Sequence, residues 1–305
     1  MQATIADGVW PTMITPFTED DRLDLEALTP LVEWYLDRGV DGLFAVCQSS
    51  EMFELTLAER VRLAEAVVEA VDGRVGVIAS GHISDDPDDQ LEEVTRIAAT
   101  GVDAVVLVTN RFANAEESDA VWQARLAHFL DRIPDSIPLG FYECPQPYKR
   151  VLSPRMLRWV AETGRFIFLK DTCCDLDLIE AKLAVAGDVR LYNANAATLL
   201  GSLKMGAAGY SSVMGNVHPQ LYGWLCRHWA DEPERAARLQ DFLGVSSWMG
   251  RCVYPTSAKY YLQLEGVPLT LHGRVRPADA LGSSNRLEVE QLHRLTQRYD
   301  AEYGL

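Results

Sequence analysis

Lysine is scarce in this 305-residue chain, with five in all, and one of them, Lys170, closes the run Phe166-Ile167-Phe168-Leu169-Lys170, whose earlier residues are all apolar. Such a run reads as a buried strand, so its last side chain stands where the strand gives way to a loop. Removal from water disfavours the ammonium form and leaves a free amine able to attack a carbonyl carbon. The competing reading is a strand-end lysine whose head reaches solvent. Tyr142 closes a second apolar run, Pro138-Leu139-Gly140-Phe141-Tyr142, one strand-helix unit earlier. Neighbouring strands lie about 4.8 Å apart, so a phenol and an amine at one level can share a small substrate, the phenol moving protons as a carbinolamine becomes an imine. Taken alone, Tyr142 reads as a core tyrosine with its hydroxyl at the rim. A third candidate is Cys47-Gln48-Ser49-Ser50-Glu51, a segment whose hydroxyls and N–H groups can hold a carboxylate. On spacing alone it is a serine-rich connection.

Groups like these need a rigid frame. Short apolar runs fall near Val9 to Ile14, Gly42 to Cys47, Val75 to Ser80, Ala104 to Val108, Pro138 to Tyr142, Phe166 to Lys170, Val189 to Tyr192 and Gly209 to Val213, each followed by a segment of helical periodicity. Eight such units at this length predict an α/β fold, a (β/α)8 TIM barrel with appended C-terminal helices, with an open parallel sheet as the alternative. Thr56 with Glu59 forms a capping box, Ser153 precedes Pro154 at a first helical turn, and Asp24 can cap the first helix. Gly39-Val40-Asp41-Gly42, Gly101-Val102-Asp103-Ala104 and Gly206-Ala207-Ala208-Gly209 each set a helix-stopping glycine just before a strand. That repetition is an internal repeat of strand-helix units. From Pro219 to Tyr303 the periodicity is helical throughout. Residues 1–218 therefore carry the barrel strands and most helices, and 219–305 the last barrel helix and a helical extension packed on the same domain. Barrel enzymes build their sites at the C-terminal ends of strands, where Lys170 and Tyr142 fall.

Charge narrows the partners. With 28 basic against 44 acidic residues the net charge is −16, so nucleic acid and anionic membrane surfaces are repelled. No apolar run is long enough for a transmembrane helix, and Met1-Gln2-Ala3-Thr4 lacks the blocks of a signal peptide, which points to a cytoplasmic protein. The six cysteines, Cys47, Cys144, Cys173, Cys174, Cys226 and Cys252, show no CxxC pairing and read as reduced thiols. No histidine accompanies them at ligand spacing, so no metal site is expected.

The chain resembles the dihydrodipicolinate synthase and N-acetylneuraminate lyase family, class I (Schiff-base) aldolases on a TIM barrel. The resemblance runs through Thr15-Pro16-Phe17, Glu51, Leu55-Thr56, Glu59-Arg60, Tyr142 with Pro145, Phe168-Leu169-Lys170-Asp171, Gly206-Ala207-Ala208-Gly209, Asn216, Pro219 and Val275-Arg276-Pro277. It implies that Lys170 is the Schiff-base lysine and Tyr142 the proton-relaying tyrosine. It sets Gln48, Ser49, Ser50, Phe112, Asn193 and Ser211 around the substrate. The sequence departs from the family at four points. The carboxylate loop usually reads GTTGE or GSTGE, and Gln48 now supplies an amide for a hydroxyl. A relay tyrosine after the fourth strand becomes Phe112, a substrate-gripping arginine becomes Pro147, and a glycine after the seventh strand becomes Asn193. These changes point to a member other than the synthase itself.

The implied activity is that of a Schiff-base lyase or aldolase acting on pyruvate or a 2-keto-3-deoxy sugar acid by reversible formation and cleavage of a carbon–carbon bond, with no cofactor beyond a covalent imine on Lys170. One alternative is a dehydratase or hydratase-aldolase on a sugar acid or aromatic keto acid, with Phe112, Tyr148 and Tyr210 lining an apolar pocket. Others are a non-catalytic keto-acid-binding or regulatory barrel and a metal-dependent aldolase. The implied partners are a small keto acid and copies of the same chain, as a homo-oligomer, tetramer or dimer.

Overall fold

Strand and helix alternate through the first three quarters of the chain: β1 (Gly8–Val9), α1 (Leu25–Asp37), β2 (Gly42–Phe44), α2 (Leu57–Val71), β3 (Gly76–Ala79), α3 (Pro87–Ala98), β4 (Ala104–Val108), α4 (Asp119–Leu130), β5 (Leu139–Tyr142), α5 (Pro154–Glu162), β6 (Phe166–Asp171), α6 (Leu176–Leu183), β7 (Arg190–Asn193), α7 (Leu199–Lys204), β8 (Gly209–Tyr210) and α8 (Pro219–His228). Three further helices follow, α9 (Pro233–Ser246), α10 (Thr256–Leu264) and α11 (Ser283–Tyr303). This computed structural model describes residues 5–305, and the Met1-to-Thr4 opening read above for an export signal lies outside the described residues.

All strand pairs are parallel, in the order β1-β8-β7-β6-β5-β4-β3-β2. The remaining seam between β1 and β2 is closed by a parallel bridge of Thr12 to Phe44, making the predicted eight-stranded barrel. The first strand is shorter than its apolar run because Pro11 has no N–H for the ladder, although its carbonyl still accepts from Phe44 N–H at 3.0 Å. At the other side of β1 the backbones of Gly8 and Gly209 approach so closely that a Cβ on Gly209 would lie 1.8 Å from the Gly8 carbonyl oxygen.

The punctuation read from sequence appears in place. Asp24, Thr56 and Ser153 each accept from a first-turn N–H, and Thr56 with Glu59 forms the capping box. The repeated Gly-Val-Asp has a second use: Asp41 accepts the Val9 N–H and Asp103 the Val77 N–H, both at 2.8 Å. Each aspartate thus ties its own strand to its neighbour at the closed end of the barrel.

Along β6, Phe168 and Lys170 face inward and Leu169 and Asp171 outward, as the two-residue period requires. Trp10, Phe44, Phe168 and Tyr192 fill the barrel below Lys170, with Phe168 stacked on Tyr192 at 4.7 Å and 6.1 Å from both Trp10 and Phe44. This aromatic plug keeps water from reaching the amine from beneath. Among the described residues no helix is long and apolar enough to cross a membrane, and all six cysteines are free.

Candidate active site

β5 and β6 pair so that Tyr142 is the direct neighbour of Lys170. Both side chains are buried, each residue 4% exposed, and Lys170 Nζ lies 4.3 Å from the centre of the Tyr142 ring and 5.9 Å from that of Phe44. Lys182 and Lys259 are buried as well, but each meets a carboxylate. Lys170 faces rings and thiols instead, and burial pushes its amine down to about 8. Burial likewise pushes the Tyr142 phenol well up, so it keeps its proton at neutral pH.

The segment after β2 supplies the third side. Cys47 is extended, Gln48 to Ser50 form one 3-10 turn, and Glu51 is left-handed at φ 61°. Ser50 is absorbed by the loop: its Oγ lies 2.7 Å from the Ala45 carbonyl oxygen and 2.8 Å from that of Met13, and accepts the Cys47 N–H at 3.1 Å. Ser49 lines the cavity and donates to Thr12 Oγ1 at 3.0 Å. Gln48 Oε1 accepts the Tyr142 hydroxyl at 3.0 Å. An amide therefore stands where the family has a hydroxyl. It orients the phenol and cannot pass a proton on as a hydroxyl would.

The left-handed Glu51 has a separate role. Its Oε1 lies 3.4 Å from Lys259 Nζ on α10, and its Oε2 accepts the Val275 N–H at 2.6 Å. Lys259 also donates to the His272 carbonyl. The segment before α11 is thereby strapped onto the Gln48–Ser50 turn, and Val275 joins the cavity wall.

Behind β5 and β6 lies a buried ion triad. Lys182 of α6 is 2.6 Å from Glu143 and 2.5 Å from Asp171, and all three side chains are fully buried. Glu143 Oε1 also accepts the Leu152 N–H and Oε2 the Thr172 N–H, both at 2.9 Å. Glu143 and Asp171 each follow one of the candidate pair in sequence, so the triad fixes the strand ends that carry Tyr142 and Lys170.

Lys170, Tyr142, Gln48 and Ser49 line one cavity of about 530 Å³, together with Phe53, Arg111 and Tyr254. Lys170, Tyr142 and Gln48 also line a chamber of about 290 Å³ that runs toward the loops after β6, β7 and β8. Three other positions taken from the sequence do not join them. Phe112 stacks on His82 at 4.9 Å and packs against Trp122, Phe129 and Phe141, because the turn after β4 directs the ring into the core. Asn193 faces outward in register with Asp171, its amide donating to Thr198 and Ser202 at 2.9 Å. Ser211 is fully buried and lines neither cavity, whereas the next residue, Ser212, lines the chamber. Of the aromatic trio, Tyr148 bonds backward to the Asn110 and Ala113 carbonyls, and Tyr210 alone lines the chamber.

Two contributors escaped the sequence reading. Arg111 turns toward the cavity where Phe112 turns away, and it pairs with Asp85 at 2.8 Å. Asn110 donates to the carbonyls of Cys144, Gln146 and Tyr148 at 2.9, 2.8 and 2.5 Å, pinning the loop after Tyr142. A polar pair ending a wholly apolar strand was the available signal. Among the described residues no group of three or more His, Cys, Asp or Glu side chains is placed to hold a metal ion.

The sequence model described as the dihydrodipicolinate synthetase family matches residues 6–295. The chain belongs to that family. It is 34% identical over 217 residues to a 4-hydroxy-tetrahydrodipicolinate synthase of Roseobacter denitrificans, covering 70% of this chain and 72% of the relative. With the 4-hydroxy-tetrahydrodipicolinate synthase of Bacillus subtilis it shares 28% over 288 residues, 92% of this chain and 96% of the other. Solved relatives share the fold: dihydrodipicolinate synthase from Bacillus anthracis superposes with a TM-score of 0.86 at 22% identity, covering 95% of this chain and 98% of that one. YagE, a prophage protein of E. coli K12 solved in complex with pyruvate, has a TM-score of 0.84 at 22% identity with the same coverage. Lyase chemistry of the aldol type, with keto acids as substrates, goes with membership of this family.

Proposed function

We propose that this family member is a class I aldolase-type lyase that forms an imine between Lys170 and a 2-oxo acid, pyruvate or a 2-keto-3-deoxy sugar acid, with no added cofactor. The observation that carries the reading is an unpaired, buried amine lying over the ring of a buried phenol in a cavity. The lone pair of Lys170 Nζ attacks the keto carbon, and Tyr142 protonates the departing hydroxyl, so that one water leaves and a protonated imine remains. That cation accepts the electron pair of the C3–C4 bond in cleavage, while the Tyr142 phenolate left by the first transfer takes the C4 hydroxyl proton and the aldehyde departs. In the addition direction the same phenolate takes the C3 proton before the enamine attacks an aldehyde. Ser49 and the backbone N–H groups of its turn hold the substrate carboxylate. The reading extends to a homo-oligomer, supported by family membership and checked by light scattering.

Incubation with pyruvate and borohydride followed by peptide mass mapping tests the proposal. The expected adduct is on the Lys170 peptide, insensitive to chelators, and its absence across several keto acids rejects the imine. The trapping rate should rise with pH as the amine loses its proton, then level off above about 8, with no second bend from Tyr142. Gln48→Ala removes the acceptor that orients the phenol, a neutral hydrogen bond of about 1 kcal/mol, so trapping should slow roughly fivefold. An unchanged rate would remove Gln48 from the mechanism.

A further inference from the structure

We propose that the chamber beside Lys170 receives the far end of the substrate, and that this end carries a second anionic group, a carboxylate or a phosphate. The inference rests on the imine reading above and names the substrate class that the site prefers. In a chain of net charge −16, this chamber is lined by Lys149, Lys170 and Arg251 and by no aspartate or glutamate. The larger cavity differs: Glu51 and Glu54 line it, and its one arginine, Arg111, already holds Asp85.

The two rim cations are held without an acidic partner among the described residues. Lys149 donates to the Thr172 carbonyl, and the Arg251 guanidinium lies 4.4 Å from the centre of the Trp248 ring. A neutral carbonyl and an aromatic face orient a cation and leave its charge uncompensated. Glu143 and Asp171, next in sequence to Tyr142 and Lys170, are occupied by Lys182 and fully buried. Thr172, Asn195 and Ser212 complete the lining with neutral polar groups.

Geometry gives the substrate a direction. Ser49 lines the larger cavity and not the chamber, while Lys170 lines both. A 2-oxo acid with its first carboxylate at Ser49 and its keto carbon on Lys170 therefore extends its remaining carbons into the chamber. A terminal anion there meets Lys149 and Arg251.

Imine trapping by borohydride reads this without assuming a reaction direction. The half-saturating concentration is measured for 2-oxoadipate, for its uncharged-end counterpart 2-oxohexanoate, and for a 2-oxo acid of similar length ending in a phosphonate. The expected result is about tenfold tighter half-saturation for an anionic end, the scale of one charge-assisted hydrogen bond. Lys149→Met and Arg251→Met should each pull the ratio of charged to uncharged ligand most of the way to one. Raising the salt should narrow it as well, because rim cations are screened. A larger gain with the phosphonate than with the carboxylate identifies phosphate as the group. Equal half-saturation for the three ligands, or a preference that survives both substitutions, overturns the second anion while leaving the imine standing. No adduct with pyruvate in the parent protein overturns the imine and the subsite with it.

Discussion

Lys170→Met is expected to yield a protein that traps no keto acid and yet resists denaturant better than its parent. The amine is buried over aromatic rings, and burial lowers its pKa from an ordinary 10.5 to about 8. That gap corresponds to roughly 3 kcal/mol by which the folded state disfavours the ammonium ion. Below about pH 8 the folded and unfolded chains both carry the proton, and the folded chain bears the full penalty. As pH rises beyond 8 the folded chain sheds the proton first, the unfolded chain binds more protons, and the parent gains stability until both are neutral. Methionine is unbranched and apolar and can fill the space. Urea titrations should therefore show a gain of about 3 kcal/mol for Lys170→Met near pH 7 that shrinks by pH 9.5. A gain that is absent, or constant with pH, would mean that the amine is not desolvated in the folded protein, and the nucleophile reading would lose its physical basis.

The opposite result is expected at Lys182, whose ammonium holds two carboxylates at 2.6 and 2.5 Å with no solvent access. Lys182→Met leaves Glu143 and Asp171 buried against each other, and breaking a buried pair in this way costs about 3–5 kcal/mol. The loss should depend on pH. Burial and the neighbouring Asp171 raise the Glu143 carboxyl, so Glu143 is the group that takes up a proton as the solution is acidified. Protonation removes the repulsion, and the variant should be less impaired at pH 5.5 than at pH 8. Adding Glu143→Gln should recover part of the stability at pH 8 and flatten the pH dependence. A loss below about 1 kcal/mol at both pH values would show that the triad does not hold the two strand ends together.

Local signals carried most of the architecture and only part of the site. Strand runs, caps and the Gly-Val-Asp repeats are consequences of short-range chemistry, and the barrel follows from their order. Lys170 and Tyr142 were legible because each ends an apolar run, and the two-residue period then fixes the side that each faces. The same period bears on two further positions: Asn193 and Ser211 each sit one residue from a position on the inner face, and beside Ser211 it is Ser212 that lines the chamber. Past β4 the chain leaves the strand for a 3-10 turn, where alternation no longer predicts direction. There Arg111, which carried no expectation, lines the cavity, and Phe112 turns into the core. The Lys182 triad joins residues from β5, β6 and α6, and only the packed structure brings them together.

Glu51 gives the order of synthesis a chemical meaning. The turn that would grip the substrate belongs to the first fifth of the polypeptide, yet Glu51 is fastened by Lys259 and Val275, separated from it by 208 and 224 residues. Contacts of such span close late, since the intervening chain must first be ordered. A nascent polypeptide halted on the ribosome before Lys259 would already contain both Tyr142 and Lys170 and would still lack the anchor for its substrate grip. Competence for the proposed imine chemistry would then arrive only with the final portion of translation.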